Sequence, residues 1–543
     1  MKTSLFAAAS AFALSSLSTP LLAQPMAMPG MTAPMPEKKT PPKKHVSQKS
    51  GAKNSPANKR AQKSRVPGKS DTPGADQPNS QTLATDHGAM PKGAQPSERG
   101  SQIPMGGSQT EAGVKPMPEQ RSGGEQMPMT MPMDRPQSAH GQVRQMPMAD
   151  ITGGRHEMTM PGALGPYPMG RESSGTSWQP DASEHQGLMT MSGEWTLMAH
   201  GVLNLVYDSQ NGRRGDDKAF ASGMLMGMAQ RPFGSGTLQF RAMVSPDPLM
   251  GPSGYPLLLA SGETANGRDR LIDRQHPHDF FMELAASVSQ NVGPKSSVFF
   301  YAGLPAEPAF GPPAFMHREA IMDSPEAPIS HHWLDSTHIA FGVVTAGFVF
   351  DRLKFEVSRF NAREPDQHRW NIETGPLDST AIRISWNPTN TLALQGSWGH
   401  FKDPEQLEPG VDQKRLSASL LYAREVAPGW KFAGTLAWGR KTVEHHDNDA
   451  YVAEASLKHR GWTMFGRGEM AKNRELVPNA EHGPAYEVGK ISLGAVRDFR
   501  IADHVSIGAG GLFALNFVPE PLAPLYGGSN PTGLMVFVRI RLN

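Results

Sequence analysis

Two short stretches of the sequence concentrate side chains able to ligate a metal. Asp273-Arg274-Gln275-His276-Pro277-His278-Asp279 is followed by Glu283, and Met316-His317-Arg318-Glu319 is followed by Asp323, Glu326, His331-His332-Trp333-Leu334-Asp335 and His338. Neutral imidazole is a frequent metal ligand, and His-X-His on an extended chain turns both rings to one side. The candidates for a metal site are therefore His276, His278, Asp279, Glu283, Met316, His317, His331, His332, Asp335 and His338. A structural alternative stands beside this one: His, Asp and Arg packed against a wall can anchor an inserted loop through hydrogen bonds without binding anything. Spacing alone leaves both readings open.

A second pattern of soft ligands lies nearer the N-terminus. Met26, Met28, Met31 and Met35, then Met127, Met129, Met131 and Met133, then Met146, Met148, Met158 and Met160 mostly alternate with single residues, often Pro or Thr. Nineteen of the 31 Met residues stand at or before Met191, so the bias belongs to this half of the chain. A thioether gives a polar chain no solubility that Gln would not supply, but its soft sulfur suits Cu(I). Met127, Met129, Met131 and Met133 join the metal candidates, with copper ions as the implied ligand. The plainer alternative is a low-complexity spacer.

The elements that must position these residues divide into three parts. Residues 1–24, with Lys2, an apolar run from Leu5 to Leu17 and Leu21-Leu22-Ala23-Gln24, have the pattern of a secretory signal peptide. No later stretch supplies the roughly 18 consecutive apolar residues of a spanning helix. Residues 25–192 are rich in Pro, Gly, Ser, Gln, Lys and Met and nearly lack aromatic and β-branched residues, a composition that cannot offset backbone entropy by burial. We expect this segment to be disordered and periplasmic. Between Lys38 and Lys69 it carries eleven Lys or Arg and no acid, an arm suited to anionic material such as peptidoglycan or lipid headgroups. With 53 Lys and Arg against 51 Asp and Glu overall, the chain is not a dedicated nucleic-acid binder. With no Cys it enters an oxidising compartment without a disulfide framework.

From residue 193 to 543 the texture changes to segments of about ten residues with period-2 alternation, bounded by Gly, Pro, Asn and Asp. In the last of them Leu534, Val536, Val538, Ile540 and Leu542 share one face and Arg539, Arg541 and Asn543 the other, as in a strand with lipid outside and a polar lumen. Counting it, sixteen strands are predicted: 195–207, 219–228, 237–244, 280–292, 296–303, 338–350, 353–360, 381–386, 392–398, 415–422, 431–438, 451–457, 462–469, 488–496, 505–517 and the C-terminal one. The fold class is all-β, a transmembrane antiparallel barrel of about 16 strands with a range of 14–18, preceded by the disordered segment. A soluble β-sandwich is the alternative, but this many strands exceeds its usual inventory. Trp195, Tyr207, Trp333, Trp370, Trp386, Trp398, Trp430, Trp438 and Trp462 fall near strand ends, where interface girdles place aromatic rings. Asn387-Pro388-Thr389-Asn390, Ala427-Pro428-Gly429 and Arg460-Gly461 read as short hairpin turns. Two long non-strand segments, near 246–278 and 304–335, interrupt the rhythm and hold the first group of metal candidates.

At Arg274 to Glu283 (RQHPHDFFME), Gly311 to Arg318 (GPPAFMHR), Glu326 to Gly347 (EAPISHHWLDSTHIAFGVVTAG) and Phe360 to Trp370 (FNAREPDQHRW), the sequence resembles a family of uncharacterised Gram-negative outer-membrane β-barrel proteins. That resemblance covers most of the C-terminal portion and implies the location and the fold, with no established activity. The Met-rich leader separately resembles that of copper resistance protein B, another outer-membrane barrel, whose Met-X-Met repeats precede its barrel.

No Gly-X-Ser-X-Gly, phosphate loop, HExxH or EF-hand pattern is present, so no enzyme is expected. An outer-membrane hydrolase assembled from adjacent strands is the remote alternative. The functional expectation is an outer-membrane barrel that binds, exports or confers resistance to a metal, copper before others. Its partners would be outer-membrane lipid and, through the N-terminal segment, periplasmic metal-handling proteins or peptidoglycan. A general porin whose long segments only set pore size is the competing class.

Overall fold

The computed structural model describes residues 160–184, 187–478 and 483–542. The signal-peptide segment, the basic arm and Met127 to Met133 lie outside them.

A short strand β1 (Leu188–Ser192) precedes a long run of antiparallel pairing. The strands that follow are β2 (Trp195–Gln210), β3 (Asp217–Phe233), β4 (Gly236–Val244), the short pair β5 (Tyr255–Thr264) and β6 (Arg270–Gln275), β7 (Phe281–Gly293), β8 (Ser296–Gly303), β9 (Val343–Phe350) and β10 (Leu353–Phe360). Then come β11 (Ser379–Thr389), β12 (Leu392–Phe401), β13 (Gln413–Ala427), β14 (Trp430–Val443), β15 (His446–His459), β16 (Trp462–Asn473), β17 (Tyr486–Ala502), β18 (Val505–Phe517) and β19 (Thr532–Leu542). Seventeen of these share one sheet. Sixteen close a barrel, because β19 returns to β2 with Leu534 opposite Ser209 and Val538 opposite Leu205; the seventeenth, β1, pairs with the start of β2.

All sixteen predicted strands are present. The alternation that announced them is now visible as two faces. Leu534, Val536, Val538 and Ile540 are about half exposed on the outside, while Met535, Phe537, Arg539 and Arg541 are buried within. Outward Leu205, Leu225, Phe240, Phe300, Ile382, Leu436, Leu493 and Phe513 continue the apolar surface around the wall. Such a face has water as a poor solvent and lipid as a good one.

Connections differ by end, with the two-residue turn 444–445 the exception among the longer ones. Residues 234–235, 294–295, 351–352, 390–391, 428–429, 460–461 and 503–504 form two-residue turns at one end, whereas 245–280, 304–342, 361–378 and 518–531 emerge at the other. Arg460 (φ 47°) and Gly461 (φ 79°) both take the left-handed conformation of the turn whose twist matches a hairpin. Exposed Phe233, Phe350, Trp386, Trp430, Trp462 and Phe499 stand beside the short turns as the expected aromatic rim.

Four sequence expectations require correction. Trp333 is not a girdle residue: it is 4% exposed inside the lumen, and its indole donates to the Asn448 carbonyl at 3.0 Å. Strand β9 starts at Val343, and His338 belongs instead to a short 3-10 turn, Ser336–His338. The segment near 246–278 is not free of strands, since β5 and β6 form a hairpin folded into the lumen. Finally, the stretch expected to be disordered up to residue 192 contains folded chain: residues 160–184 pack into the short-turn end of the barrel. There Ser289 and Ser297 donate to the carbonyls of Ala163 and Leu164 at 2.7 and 2.6 Å, Asn387 donates to Gln179 O at 2.8 Å, and buried Arg171 pairs with Asp181 at 2.7 Å.

The lumen is therefore filled from both ends. Ser174 Oγ, from the short-turn side, accepts from Ala314 N of the 304–342 segment at 2.9 Å. Inward side chains from every part of the wall are buried against these insertions, among them Asn204, Arg241, Thr345, Arg383, Ser417, Glu454, Arg467 and Arg539. Irregular backbone at this depth needs partners, and the wall provides them: Arg467 donates to Glu326 O at 3.0 Å, and the Glu469 carboxylate accepts from Ser330 N and Oγ at 3.0 and 2.7 Å. Gly439 on β14 makes room for the short helix His331–Leu334, because a Cβ there would sit 2.5 Å from Trp333 O. We expect Gly439→Val to lift this helix at a cost of about 1–3 kcal/mol. Hydrogen exchange would then rise across residues 331–338 and stay unchanged in the barrel strands.

Candidate functional site

Five of the predicted histidines meet inside the barrel. His276 and His278 follow β6 and enter from one insertion; His331, His332 and His338 come from the other. Ring centres lie 5.1 Å apart for His278 and His338, 5.3 Å for His331 and His338, 5.9 Å for His276 and His331, and 5.5 Å for His276 and His332. Phe315 closes one side, stacked on His278 and edge-on to His331.

Their hydrogen bonds separate the five into two groups. His278 Nδ1 lies 2.8 Å from Asp247 Oδ2, His331 Nδ1 lies 2.7 Å from Asp335 Oδ1, and His338 Nδ1 lies 2.7 Å from the Asp335 carbonyl. A carbonyl oxygen can only accept, and so can an ionised carboxylate, so each Nδ1 must carry the proton and donate it. In a neutral ring that leaves the lone pair on Nε2. All three of these Nε2 atoms are buried and have no protein partner. Burial holds His331 below its usual pKa despite the Asp335 carboxylate, and holds His338 well below it, so both rings are neutral near pH 7. A carboxylate or carbonyl fixing Nδ1 while Nε2 faces inward is the outer support commonly found behind metal-ligating histidine.

The other two are tied differently. His276 Nε2 faces Glu263 Oε1 at 3.1 Å, and burial pushes its pKa well down. Burial also pulls on His332, but the Glu364 carboxylate, 3.0 Å from Nδ1, outweighs it and holds the ring above its usual value. The far nitrogen of His332 presses on Gly262, where a Cβ would come within 2.5 Å.

The remaining candidates are placed as follows. Asp335 fixes two of the rings and is itself gripped by Arg318, which keeps its carboxyl far below the usual range despite burial. Glu283 accepts from the Tyr301 hydroxyl at 2.7 Å and pairs with Arg241 on the wall, whereas Asp279 pairs at 3.3 Å with Arg369 of the 361–378 connection, which also pairs with Glu263 beside His276. Met316 and His317 turn toward β2 and β3, where the His317 and His200 rings are 6.1 Å apart. Sequence reasoning missed Asp247, Glu263 and Glu364. Glu364 lies within one of the quoted motif blocks, but nothing in the sequence ties Asp247 to His278 across 31 residues.

An ion would have to draw the trio inward, because among the described residues no group of three or more His, Asp or Glu already converges on one point. A tetrahedral ion with bonds of about 2.0 Å spaces imidazole centres roughly 5 Å apart, close to the two separations around His338.

A buried carboxylate at the other end of the 304–342 segment, beside Gly175 and Tyr301, responds to pH. Neither Glu307 oxygen has a hydrogen-bond partner, and the nearest cation, Arg383, is 3.7 Å away, so burial pushes the pKa up to about 7. A folded pKa above the unfolded one means that ionisation destabilises the fold: the penalty is absent below about pH 4.5 and grows as pH rises toward 7. Glu307→Gln should therefore stabilise the docked 304–342 segment at pH 8 by up to roughly 3 kcal/mol and make little difference at pH 4.5. Amide exchange across 304–342 at the two pH values checks this.

No family model matches the chain, and no curated protein matches it. Solved structures do. An outer-membrane-expressed OmpT of Vibrio cholerae is 9% identical, with a TM-score of 0.37, over 65% of this chain and 100% of that one. Salmonella typhi OmpF, in complex with daunomycin, is 11% identical with a TM-score of 0.42 over 65% and 100%. OprB of Pseudomonas putida is 8% identical with a TM-score of 0.42 over 64% and 94%.

Proposed function

We propose that this chain is an outer-membrane barrel of a Gram-negative bacterium that binds a divalent transition-metal ion inside its own lumen and serves metal handling or resistance rather than catalysis. The observation that carries the reading is the trio of buried, unpartnered Nε2 atoms on His278, His331 and His338, each with its Nδ1 already committed. Leaving three polar atoms unpartnered in a buried place is costly unless something fills the position. Two carboxylates stand behind the rings, Asp247 beside His278 and Asp335 beside His331, the latter already paired with Arg318. Three imidazoles suit Cu(II), Zn(II) and Ni(II), with copper bound most tightly of the three.

In this reading the N-terminal segment occupies the periplasm, where Met127, Met129, Met131 and Met133 capture Cu(I) and tethering raises its concentration near the barrel. The Lys-rich arm would hold that segment against peptidoglycan or a metal-handling partner. The sixteen-strand wall favours a second reading, a solute channel, since barrels of this size commonly enclose water. The buried inner wall weighs against it.

Titrating the refolded full-length chain with Zn(II), which thioethers compete for poorly, tests the proposal. One site lost in His338→Ala supports it. Absence of any histidine-dependent site, together with rapid solute flux through proteoliposomes, would replace it with the channel.

A further inference from the structure

The inner wall beside the histidine trio carries an unusual row of sulfur. On β3, Met224, Met226 and Met228 alternate toward the lumen; Met243 on β4 faces Met226 directly in register, and Met282 and Met316 pack against the same group. Across the other edge of β3, Met226 faces His200 on β2, with His200 Nε2 3.2 Å from Met226 Sδ. His317 reaches in from the 304–342 segment: its ring is 6.1 Å from that of His200, and its Nε2 is buried with no protein partner.

Methionine is a common filler of irregular cores, and six thioethers alone would mean no more than that. The imidazoles change the reading. Packing needs neither ring, yet His200 directs a nitrogen at a sulfur, and the His317 ring, its Nε2 unpartnered, lies 6.1 Å from that of His200. We infer that Met226, His200 and His317, with Met243 beside them, form a second lumen site for a soft monovalent cation of the Cu(I) or Ag(I) type.

Charge separates this site from the first. Its donors are thioethers and imidazoles with no carboxylate among them, and Arg241 is already matched by Glu283. Such a donor set takes a single positive charge at far lower desolvation cost than a double one, and soft sulfur selects ions that borderline imidazole sites do not favour. The trio, with carboxylates behind it, has the opposite preference. An ion at the second site would part the 3.2 Å pair, since nitrogen and sulfur bonds of about 2.0 and 2.3 Å hold their atoms farther apart than that. The inference deepens the metal reading above and rests on it for the entry of ions into the lumen.

The test uses the full chain, refolded in detergent, with 13C-labelled methionine methyl groups and Ag(I) as the probe. Met226→Leu, close in volume, identifies the Met226 signal by its disappearance. We expect Ag(I) to shift that signal in the wild type, and His317→Ala to raise the concentration required at least tenfold. A Met226 signal that stays still while the methyls of the N-terminal segment saturate overturns the inference. Should Met226→Leu fail to refold, the Met243 methyl, identified through Met243→Leu, is read in the same way with the same two outcomes. Zn(II) titration of the same sample keeps the two sites apart: Zn(II) binding without a silver shift removes this site alone, and a silver shift without Zn(II) binding removes the trio alone.

Discussion

Arg318→Met is expected to cost about 3–5 kcal/mol and to release the loop that carries three of the five clustered histidines. Arg318 is wholly buried. It donates through Nε and Nη2 to both oxygens of Glu454 at 2.8 Å, through Nη1 to the Pro313 carbonyl at 2.9 Å, and it pairs with Asp335. One side chain thus ties the 304–342 segment to β15 and to itself. Removal strands two carboxylates in a buried place. Glu454 keeps a second cation, Arg467 at 3.2 Å, but Asp335 has no other arginine or lysine, so most of the penalty falls on Asp335. Since Asp335 positions His331 through its carboxylate and His338 through its carbonyl, metal affinity should fall together with stability. Arg318→Lys keeps the charge but cannot form the paired bonds to Glu454, and its cost should be intermediate. Hydrogen exchange over residues 311–342 is the measurement. Protection in Arg318→Met equal to that of the wild type would show that the loop is held by something else.

The wall of this molecule was readable because each strand has lipid on one side and a polar interior on the other. Leu534 to Leu542 and Arg415 to Tyr422 alternate for that physical reason, and the strands follow. The filling of the lumen was not readable for the converse reason. Tyr255 to Thr264 is buried on both faces nearly throughout, so Leu257-Leu258-Leu259 shows no alternation and the stretch reads as an irregular insertion. Residues 160–184 share the composition of the polar segment before them and so read as part of it; what orders them is the barrel they enter, through Arg171, Trp178 and a series of backbone carbonyls. The histidines were visible as residue types, and their two segments do meet. Asp335, which fixes His331 and His338, is close to them in sequence, but Asp247, Glu263 and Glu364, which hold the other three rings, are not. The methionine row on β3 did carry a signal, Met-Leu-Met-Gly-Met on alternate positions of a strand, but it was overshadowed by the richer Met repeats upstream.

Within the histidine group the hydrogen bonds separate three rings with an unpartnered Nε2 from two that are tied otherwise, and under the proposed metal reading that division sets the second large effect. His338→Ala should weaken Zn(II) or Cu(II) binding by about 100-fold or more, because losing even an outer support of a metal-bound histidine costs about 10–100-fold. His338 is central to the trio, the ring closest to both His278 and His331. Asp247→Asn keeps an acceptor for His278 but removes the charge behind it, and about a tenfold loss is expected. His332→Ala should leave affinity within a few-fold of the wild type. Its Nδ1 is held by Glu364 and its other nitrogen lies against Gly262, so it offers no lone pair to the shared space. This pattern discriminates because a purely structural cluster makes the opposite demand. If the five rings only brace the loops, His332→Ala, which strands Glu364, should disturb the site as much as His338→Ala. Calorimetric titration of the three refolded variants decides between the accounts, and equal losses in His332→Ala and His338→Ala would overturn the assignment of the trio as ligands.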